Sequence, residues 1–261
     1  MIPPGMSTAG LAASGGGAAG LPYCGRFEAG AAWYLQFNLD PLVIAGLAAA
    51  ALWASRAGGA LRRMRLIAVG IAAVLWLSPL CPASATLLSL RAAHHLGVML
   101  VLAPVLALGW PAARTPASAQ GAGLWALASA ASFAVWFWPA AYTAAWQSEW
   151  VYWGLQLAML GAAIMFWRVL FALAEQGRAL ASVAPCALAS AAMGAVGAVL
   201  TFAPRVLLVE HQASALGLGI APLADQQLAG LVVWVFGMVP IAAFALHAMW
   251  QSLAPVDEAA A

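Results

Sequence analysis

Long apolar stretches, separated by short polar or proline-containing segments, make up most of the chain from about residue 41 onward. A membrane-spanning helix needs about 20 largely apolar residues. Seven stretches approach this requirement, at residues 41–55, 66–81, 84–109, 121–145, 150–174, 179–203 and 226–253. The pattern therefore predicts an all-α integral membrane bundle of seven transmembrane helices.

Composition supports lipid as the surrounding solvent. Hydrophobic residues make up 65% of the chain and charged residues 7%, whereas about a quarter of the residues of a soluble domain are charged. A soluble fold with so few charges could not cover its surface. The net charge of +2 gives no support for a nucleic-acid partner, since such proteins carry a basic patch.

The positions of the arginines predict the orientation, because basic residues in short loops mark the cytoplasmic side. The first loop is arginine-rich, from Arg56 to Arg65, and is therefore assigned to the cytoplasm. If seven helices alternate, Arg114, Arg168 and Arg178 fall on the same side. We therefore expect the N-terminus outside and the C-terminus in the cytoplasm.

Three regions are predicted along the chain. Residues 1–32 are rich in glycine and alanine and lack the features of a signal peptide, so they are interpreted as a flexible tail. Residues 33–254 form the membrane domain, and residues 255–261 a short cytoplasmic tail. The connection 204–225 is the one long loop, and its apolar middle predicts a short helix on the outer membrane surface.

The third span carries three ionisable side chains, and such groups at bilayer depth are functional candidates. Arg91 shares a helix face with His94 and His95. His95 is expected about 16 Å below the outer end of the helix, and Met99 lies one turn further on. An imidazole beside a thioether suits Cu(I) better than Zn(II). Copper is therefore the metal that this pattern favours.

A structural explanation of the same residues stays open. Arg91 would pair with an acid on a neighbouring helix, and the histidines would bond to backbone carbonyls. Asp40 and Asp225 are the candidate counter-ions, although each also suits the start of its own helix. His247 is expected about 31 Å down the last span, which disfavours a haem held between it and His95.

Further polar residues lie near the outer ends of the spans. Gln226 opens the seventh, and Gln156 lies one and a half turns into the fifth. The aromatic residues around the connection of spans four and five predict an interfacial belt; they are Trp136, Trp138, Tyr142, Trp146, Trp150, Tyr152 and Trp153. Cys24, Cys81 and Cys186 are too few and too scattered to predict a disulfide framework, and Cys24, Cys81 and His211 are interpreted as outer-surface residues.

Four stretches in the same order resemble the CtaG-like family of integral membrane cytochrome c oxidase assembly factors of bacteria. Asp40-Pro41 is similar to the family's opening Asp-Pro, and Ser78-Pro79-Leu80 with Leu88 to Pro104 to its Ser-Pro-Leu and histidine-containing helix. Trp136 to Tyr142, with Phe166-Trp167, is similar to its Trp-His-x-Pro-x-x-Tyr and Phe-Trp. The most specific is Asp225-Gln226 followed by Gly230 and Trp234, similar to Asp-Gln-x-x-x-Gly-x-x-x-Trp.

The chain departs from that pattern at four positions. Arg91 stands where the family has its first histidine, and His94 where it has glutamine. Phe137 and Gln156 replace two further histidines, so that His95 alone stands in register. The resemblance implies the fold and the assembly role, but it does not carry over a complete copper site.

The resemblance implies a multi-pass protein of the bacterial inner membrane that helps to assemble a haem–copper terminal oxidase, with the oxidase subunits as partners. Delivery of copper from the extracytoplasmic side is the accompanying hypothesis. The alternative is a copper transport or copper-resistance protein that acts independently of the oxidase. The spans show no nucleophile–base set, paired carboxylates or phosphate loop, so an enzyme is not expected.

Overall fold

The computed structural model describes residues 22–25, 36–111 and 117–253, and within these ranges the chain forms helices and connecting turns without a β-strand. The α-helices of the described chain are α1 Pro41–Ser55, α2 Gly59–Leu77, α3 Leu80–Thr86, α4 Leu88–Leu96, α5 Ala103–Leu108, α6 Ala119–Trp136, α7 Pro139–Gln147, α8 Glu149–Glu175, α9 Val183–Phe202, α10 Gln212–Gly217 and α11 Pro222–Leu253. The predicted all-α class is confirmed.

Helix α1 begins where the sequence predicts. The Asp40 carboxylate accepts a hydrogen bond from the Leu42 N–H at 2.8 Å, and Pro41 takes the first helical position, where a missing N–H costs nothing. With 15 residues the helix is about 22 Å long. Its side chains are largely exposed, including Leu42 and Leu52, as expected of a helix that faces lipid.

Two predicted spans are bent pairs of helices because a proline interrupts each. Helices α2 and α3 meet at 43° across Ser78-Pro79, and α6 and α7 meet at 70° ahead of Pro139. A residue before proline is pushed out of the helical region, and Ser78 and Trp138 accordingly have ψ angles of 169° and 120°. The spans predicted at 66–81 and 121–145 are therefore each divided into two helices.

Leu88–Leu108 form one continuous span of 21 residues, in which a wider π-helical turn at Gly97–Leu102 links α4 to α5. Pro104 explains the widening, because it removes one N–H and its ring crowds the carbonyl four residues earlier. At Gly97 the backbone meets α2, since a Cβ there would lie 2.8 Å from Leu75 Cδ2. The predicted start at residue 84 moves to Leu88 because α3 ends at Thr86.

Helices α9 and α11 form the most extensive helix pair, and two glycines bring their backbones together. A Cβ on Gly197 would lie 2.8 Å from the Gly230 carbonyl oxygen, and one on Gly230 would lie 2.6 Å from the Gly197 carbonyl oxygen. Small residues permit such close approach between helices in a bilayer. Gly230 therefore has a packing role within the Asp-Gln-x-x-x-Gly motif.

Arginines gather at one end of the bundle. The first arginines after α1 lie mostly in the first turns of α2 rather than in a loop. Arg65 lies 3.7 Å over the Trp53 ring and donates to the Gly109 carbonyl at 2.9 Å. Arg178 donates to the Ala117 carbonyl at 2.7 Å. The ends of α1, α5 and α8 and the start of α6 therefore meet in one arginine-rich region.

The described chain has four helices that are long and apolar enough to cross a membrane, Leu88–Leu108, Glu149–Glu175, Ala179–Phe202 and Pro222–Ser252. The number rises to six if each bent pair counts as one span, and α1 is a shorter apolar helix. These helices indicate a multi-pass membrane protein.

We expect Gly230→Ala to lower the thermal stability of the detergent-solubilised protein, because the added methyl group would separate α9 from α11. Overpacking of this kind costs about 1–3 kcal/mol. Gly154→Ala in α8 is the matched control, since a Cβ there meets nothing within 4 Å, and alanine favours a helix. Tryptophan fluorescence on heating measures both midpoints. Equal midpoints for the two variants would contradict the assigned packing role.

Candidate functional site

Helix α4 begins inside the protein, and a side chain of α11 satisfies its first N–H groups. One Asp225 carboxylate oxygen accepts from the Leu88 N–H at 2.7 Å. The other accepts from the Ser89 N–H at 3.1 Å and from the Ser89 hydroxyl at 2.5 Å. Asp225 is 2% exposed, and the positive end of α4 stabilises its charge. The predicted first-turn acid of α11 thus caps a different helix.

Neither predicted counter-ion pairs with Arg91. Asp225 is bound to α4, and Asp40 is bound to α1 and accepts a hydrogen bond from the Tyr23 hydroxyl at 2.8 Å. In the described part of the chain, Nε and Nη1 of Arg91 have no hydrogen-bond partner, although the residue is 2% exposed. The predicted ion pairs of Arg91 with Asp40 or Asp225 are therefore wrong, because each carboxylate bonds to the first N–H groups of a helix instead.

Arg91 lies in a shell of aromatic side chains. Its guanidinium carbon is 5.6 Å from the centre of the Tyr152 ring. Arg91, Trp136, Tyr142 and Tyr152 all line one small cavity of about 10 Å³, which is about the volume needed for one water molecule. The residues expected in the aromatic belt thus divide: Trp138 and Trp150 are exposed, whereas these three aromatic residues are buried around Arg91.

His94 has a structural partner. Its Nε2 is 3.0 Å from the Leu75 carbonyl oxygen of α2, and its ring makes an edge contact with Trp76. Because Nε2 donates its N–H to this carbonyl, Nε2 cannot bind a metal ion. Only Nδ1 of His94 could act as a metal ligand. This contact is the one expected under the structural explanation.

His95 is fully buried, and neither ring nitrogen has a hydrogen-bond partner among the described residues. Its ring centre lies 4.4 Å from that of Trp136 and 6.2 Å from that of Phe137. His95 therefore faces the interior, but packed rings enclose it. It does not line the cavity next to Arg91.

Met99 faces a different region from His95. It lines a small cavity with Met193, Phe166 and Trp167, and its carbonyl oxygen accepts a hydrogen bond from the Trp167 indole at 2.9 Å. Among the described residues, no group of three or more His, Cys, Asp or Glu side chains is arranged to hold a metal ion. The metal site predicted at His94, His95 and Met99 stays a prediction.

The outer connection between α9 and α11 covers the aromatic shell. The predicted short helix is present as α10, but the segment packs into the protein: His211 is 3% exposed and hydrogen-bonds through Nε2 to the Tyr142 hydroxyl. Ser214 donates to the Thr86 carbonyl at 2.7 Å. Burial, followed by the positive charge of Arg91, lowers the pKa of His211 to about 3, so the imidazole is neutral at physiological pH. The interpretation of His211 as a surface residue was wrong.

A short N-terminal segment, Pro22 to Gly25, closes the other side of this region. Cys24 and Cys81 form a disulfide, and Tyr23 stacks on Tyr152 at 4.7 Å between ring centres. Burial and the hydrogen bond to Asp40 raise the pKa of the Tyr23 hydroxyl. These four residues, which the sequence assigned to a tail, are fixed on the bundle, and neither cysteine offers a thiolate. The rest of the predicted N-terminal tail, residues 1–21 and 26–32, lies outside the described residues.

The two glutamines have different roles. Gln226 accepts from the Leu207 N–H at 2.6 Å and donates to the Leu200 and Arg205 carbonyls, so it fixes the loop after α9. Gln156 is 1% exposed, and its amide has no hydrogen-bond partner among the described residues. It lines a cavity of about 450 Å³ between α1, α2 and α8, with Asp40 and Glu149 also in its wall.

His247 is exposed in the lower half of α11. A Cβ on Gly237 of the same helix would lie 3.6 Å from Leu96, next to His95 in sequence. His247 lies ten residues further along, which is about 15 Å. The expectation that these two histidines do not share a haem agrees with this placement.

A family model described as "Cytochrome c oxidase caa3 assembly factor" matches residues 46–254. The chain belongs to the cytochrome c oxidase caa3 assembly factor family. No curated protein and no solved structure matched the chain. The resemblance to this family is thereby confirmed. The matched residues include every described α-helix except the first five residues of α1, and Asp40-Pro41 lies just before the match.

Within this member of the family, the motif residues have structural roles that their spacing did not reveal. Asp225 and Gln226 join α11 to α4 and to the loop after α9, and Gly230 brings α11 against α9. The sequence reading also missed Tyr23, the disulfide and the burial of His211. Their partners are 17 to 69 residues away, and no local pattern signals such contacts.

We expect Asp225→Ala to destabilise the protein more than Asp40→Ala. Both substitutions remove a helix cap, which costs about 0.5–2 kcal/mol. Asp225→Ala also leaves the buried Leu88 and Ser89 N–H groups without water, and each buried unsatisfied group costs about 1–3 kcal/mol. Thermal midpoints in detergent measure the difference. A larger loss for Asp40→Ala would show that the start of α4 does not depend on the carboxylate.

Proposed function

We propose that the chain assists the assembly of a haem–copper terminal oxidase in the bacterial inner membrane and acts through contacts with the oxidase subunits. The family match over residues 46–254 carries this proposal. The buried side chains of Asp225, Gln226 and His211 are already bound to a helix start, a loop and Tyr142, so the proposed contacts with the oxidase subunits are made by other residues.

We also propose that the chain crosses the membrane seven times, with its N-terminus outside. The arginine-rich end formed by the starts of α2 and α6 and the ends of α5 and α8 supports a cytoplasmic placement of that end. The Cys24–Cys81 disulfide lies at the other end of the bundle, and disulfides persist in oxidising compartments.

Reporter fusions test this topology. A periplasm-active phosphatase fused in the loop after Phe202 is expected to be active, and one fused after Leu253 inactive, with a cytoplasm-active fluorescent protein giving the opposite pattern. An active phosphatase after Leu253 would contradict the proposed orientation.

Copper delivery has weaker support than assembly through protein contacts. His95 has two ring nitrogens without a described partner, which is the observation in its favour. Arg91 is one turn away with no described carboxylate beside it, and its positive charge would repel Cu(I). The same argument disfavours the alternative of a copper channel or resistance protein.

Deletion of the gene is expected to lower terminal oxidase activity in isolated membranes. The wild-type chain and His247→Ala should restore the activity, because His247 is exposed and remote from the aromatic shell. His95→Ala should restore less, because it removes a buried ring packed on Trp136. Oxygen uptake with a reduced electron donor, normalised to immunoblot signal, provides the measurement.

The same strains distinguish the alternatives. Unchanged oxidase activity after deletion would refute the assembly role. A change in copper tolerance with an intact oxidase would favour copper transport. Equal effects of the two histidine substitutions would show that the functional region does not lie at His95.

A further inference from the structure

A groove separates α1 from α8 along one side of the bundle. Helix α1 packs extensively against α2 but not against α8, and the space between α1 and α8 has a volume of about 450 Å³. Exposed side chains form part of its wall, including Leu42, Trp150 and Leu157. Small-molecule sites in proteins have volumes of about 300–1,000 Å³. This α1/α8 groove therefore has the size of a small-molecule site and opens at the surface of the bundle.

The polar groups of the α1/α8 groove lie toward one of its ends. Asp40 precedes α1 and Glu149 begins α8, so both carboxylates lie at the mouth. Gln156 follows about 10 Å further along α8. The described lining residues beyond it are apolar, as at Leu47 and Leu160. The groove therefore matches an amphipathic molecule whose polar head lies near the mouth and whose apolar tail follows the helices.

The charges at the mouth restrict the polar head. None of the described lining residues is basic, and the carboxylates of Asp40 and Glu149 repel an anionic group. The Gln156 amide is buried, and neither its nitrogen nor its oxygen has a hydrogen-bond partner among the described residues. An amide both donates and accepts hydrogen bonds, and buried polar groups are nearly always bonded. An uncharged head with oxygen substituents satisfies both conditions, whereas an anionic phospholipid does not.

Two indole rings favour a planar head over a flexible acyl chain. Trp76 of α2 and Trp153 of α8 both line the groove, and their ring centres are 5.9 Å apart. Aromatic pairs contribute stacking energy beyond the apolar area that they bury. Gln156 lies one helical turn after Trp153, so that a ring packed on the indoles is within reach of the amide. The head group is therefore a planar ring with carbonyl or hydroxyl oxygens.

We propose that the α1/α8 groove binds an isoprenoid quinone or quinol of the membrane. The Gln156 amide bonds to an oxygen of the ring, Trp76 and Trp153 pack against the ring, and the isoprenoid tail follows Leu47 and Leu160 into the hydrocarbon region. The head is uncharged and is therefore compatible with the carboxylates at the mouth. Binding at this site goes beyond the assembly role and does not depend on it.

Titration with decylubiquinone tests the site in the purified full-length protein, reconstituted in phosphatidylcholine nanodiscs. Quinones quench the fluorescence of nearby tryptophans. A quinone that is dissolved in the bilayer gives quenching that rises steadily with its concentration, whereas a quinone bound beside Trp76 and Trp153 adds a component that saturates. We expect this saturable component in the wild-type protein. Its absence would overturn the proposal.

Gly46→Phe locates the bound quinone. Gly46 lines the groove, and a Cβ there meets nothing within 4 Å, so the added ring occupies the space without displacing a neighbour. The saturable quenching should be lost. Gly70→Phe in α2 is the matched control, because Gly70 is also exposed with open space around its Cβ and is not among the described lining residues. Saturable quenching at wild-type affinity in Gly46→Phe would place the quinone elsewhere.

Gln156→Leu tests the contact with the head group, because it retains the approximate size of the side chain and removes its hydrogen bonds. We expect the dissociation constant to rise about tenfold. Decylbenzene carries a ring and a tail without the oxygens, and it should not compete with decylubiquinone. Unchanged affinity in Gln156→Leu, or full competition by decylbenzene, would show that the groove accepts any apolar chain and would overturn the assignment to quinones.

These measurements use the isolated protein and report binding, whereas the assembly role is tested by oxygen uptake in membranes of the deletion strain. Failure of the quinone site and failure of the assembly role are therefore distinguishable.

Discussion

The arrangement of the outer half of the bundle depends on the carboxylate of Asp225. Helix α4 begins in the protein interior, where neither water nor lipid can accept hydrogen bonds from its first N–H groups, and such groups are costly when unsatisfied. Asp225 reaches from α11 to bond the first two of them and the Ser89 hydroxyl. This contact joins residues more than 130 positions apart and fixes the helix that carries Arg91, His94 and His95.

The ionisable side chains of α4 were predicted to contact acids or a metal ion, but the residues around them are mainly aromatic. Arg91 meets the Tyr152 ring, His95 packs on Trp136, and Tyr142 bonds to His211. Large aromatic rings therefore surround His95 in the interior, and the positive charge of Arg91 lies one helical turn away.

The buried polar side chains of this family member are of two kinds. Asp225 and Gln226 form hydrogen bonds within the protein, and these bonds connect α11 to α4 and to the loop after α9. Gln156 has no described partner and lies in the wall of a large cavity between α1 and α8. The first kind maintains the fold, whereas the second lies where the interior meets a space large enough for another molecule.

The sequence by itself determined the membrane class, most helix positions and the family, because these follow from local properties: apolar length, proline positions and motif order along the chain. It also located the start of α1, where Asp40 and Pro41 act on adjacent residues. Only the tertiary structure decided which partner each polar side chain takes. Asp225 caps another helix, His211 is buried, Cys24 joins Cys81, and Arg91 stays without a described counter-ion. Each of these outcomes depends on groups brought together from distant parts of the chain, and hydrophobic periodicity carries no information about such pairings.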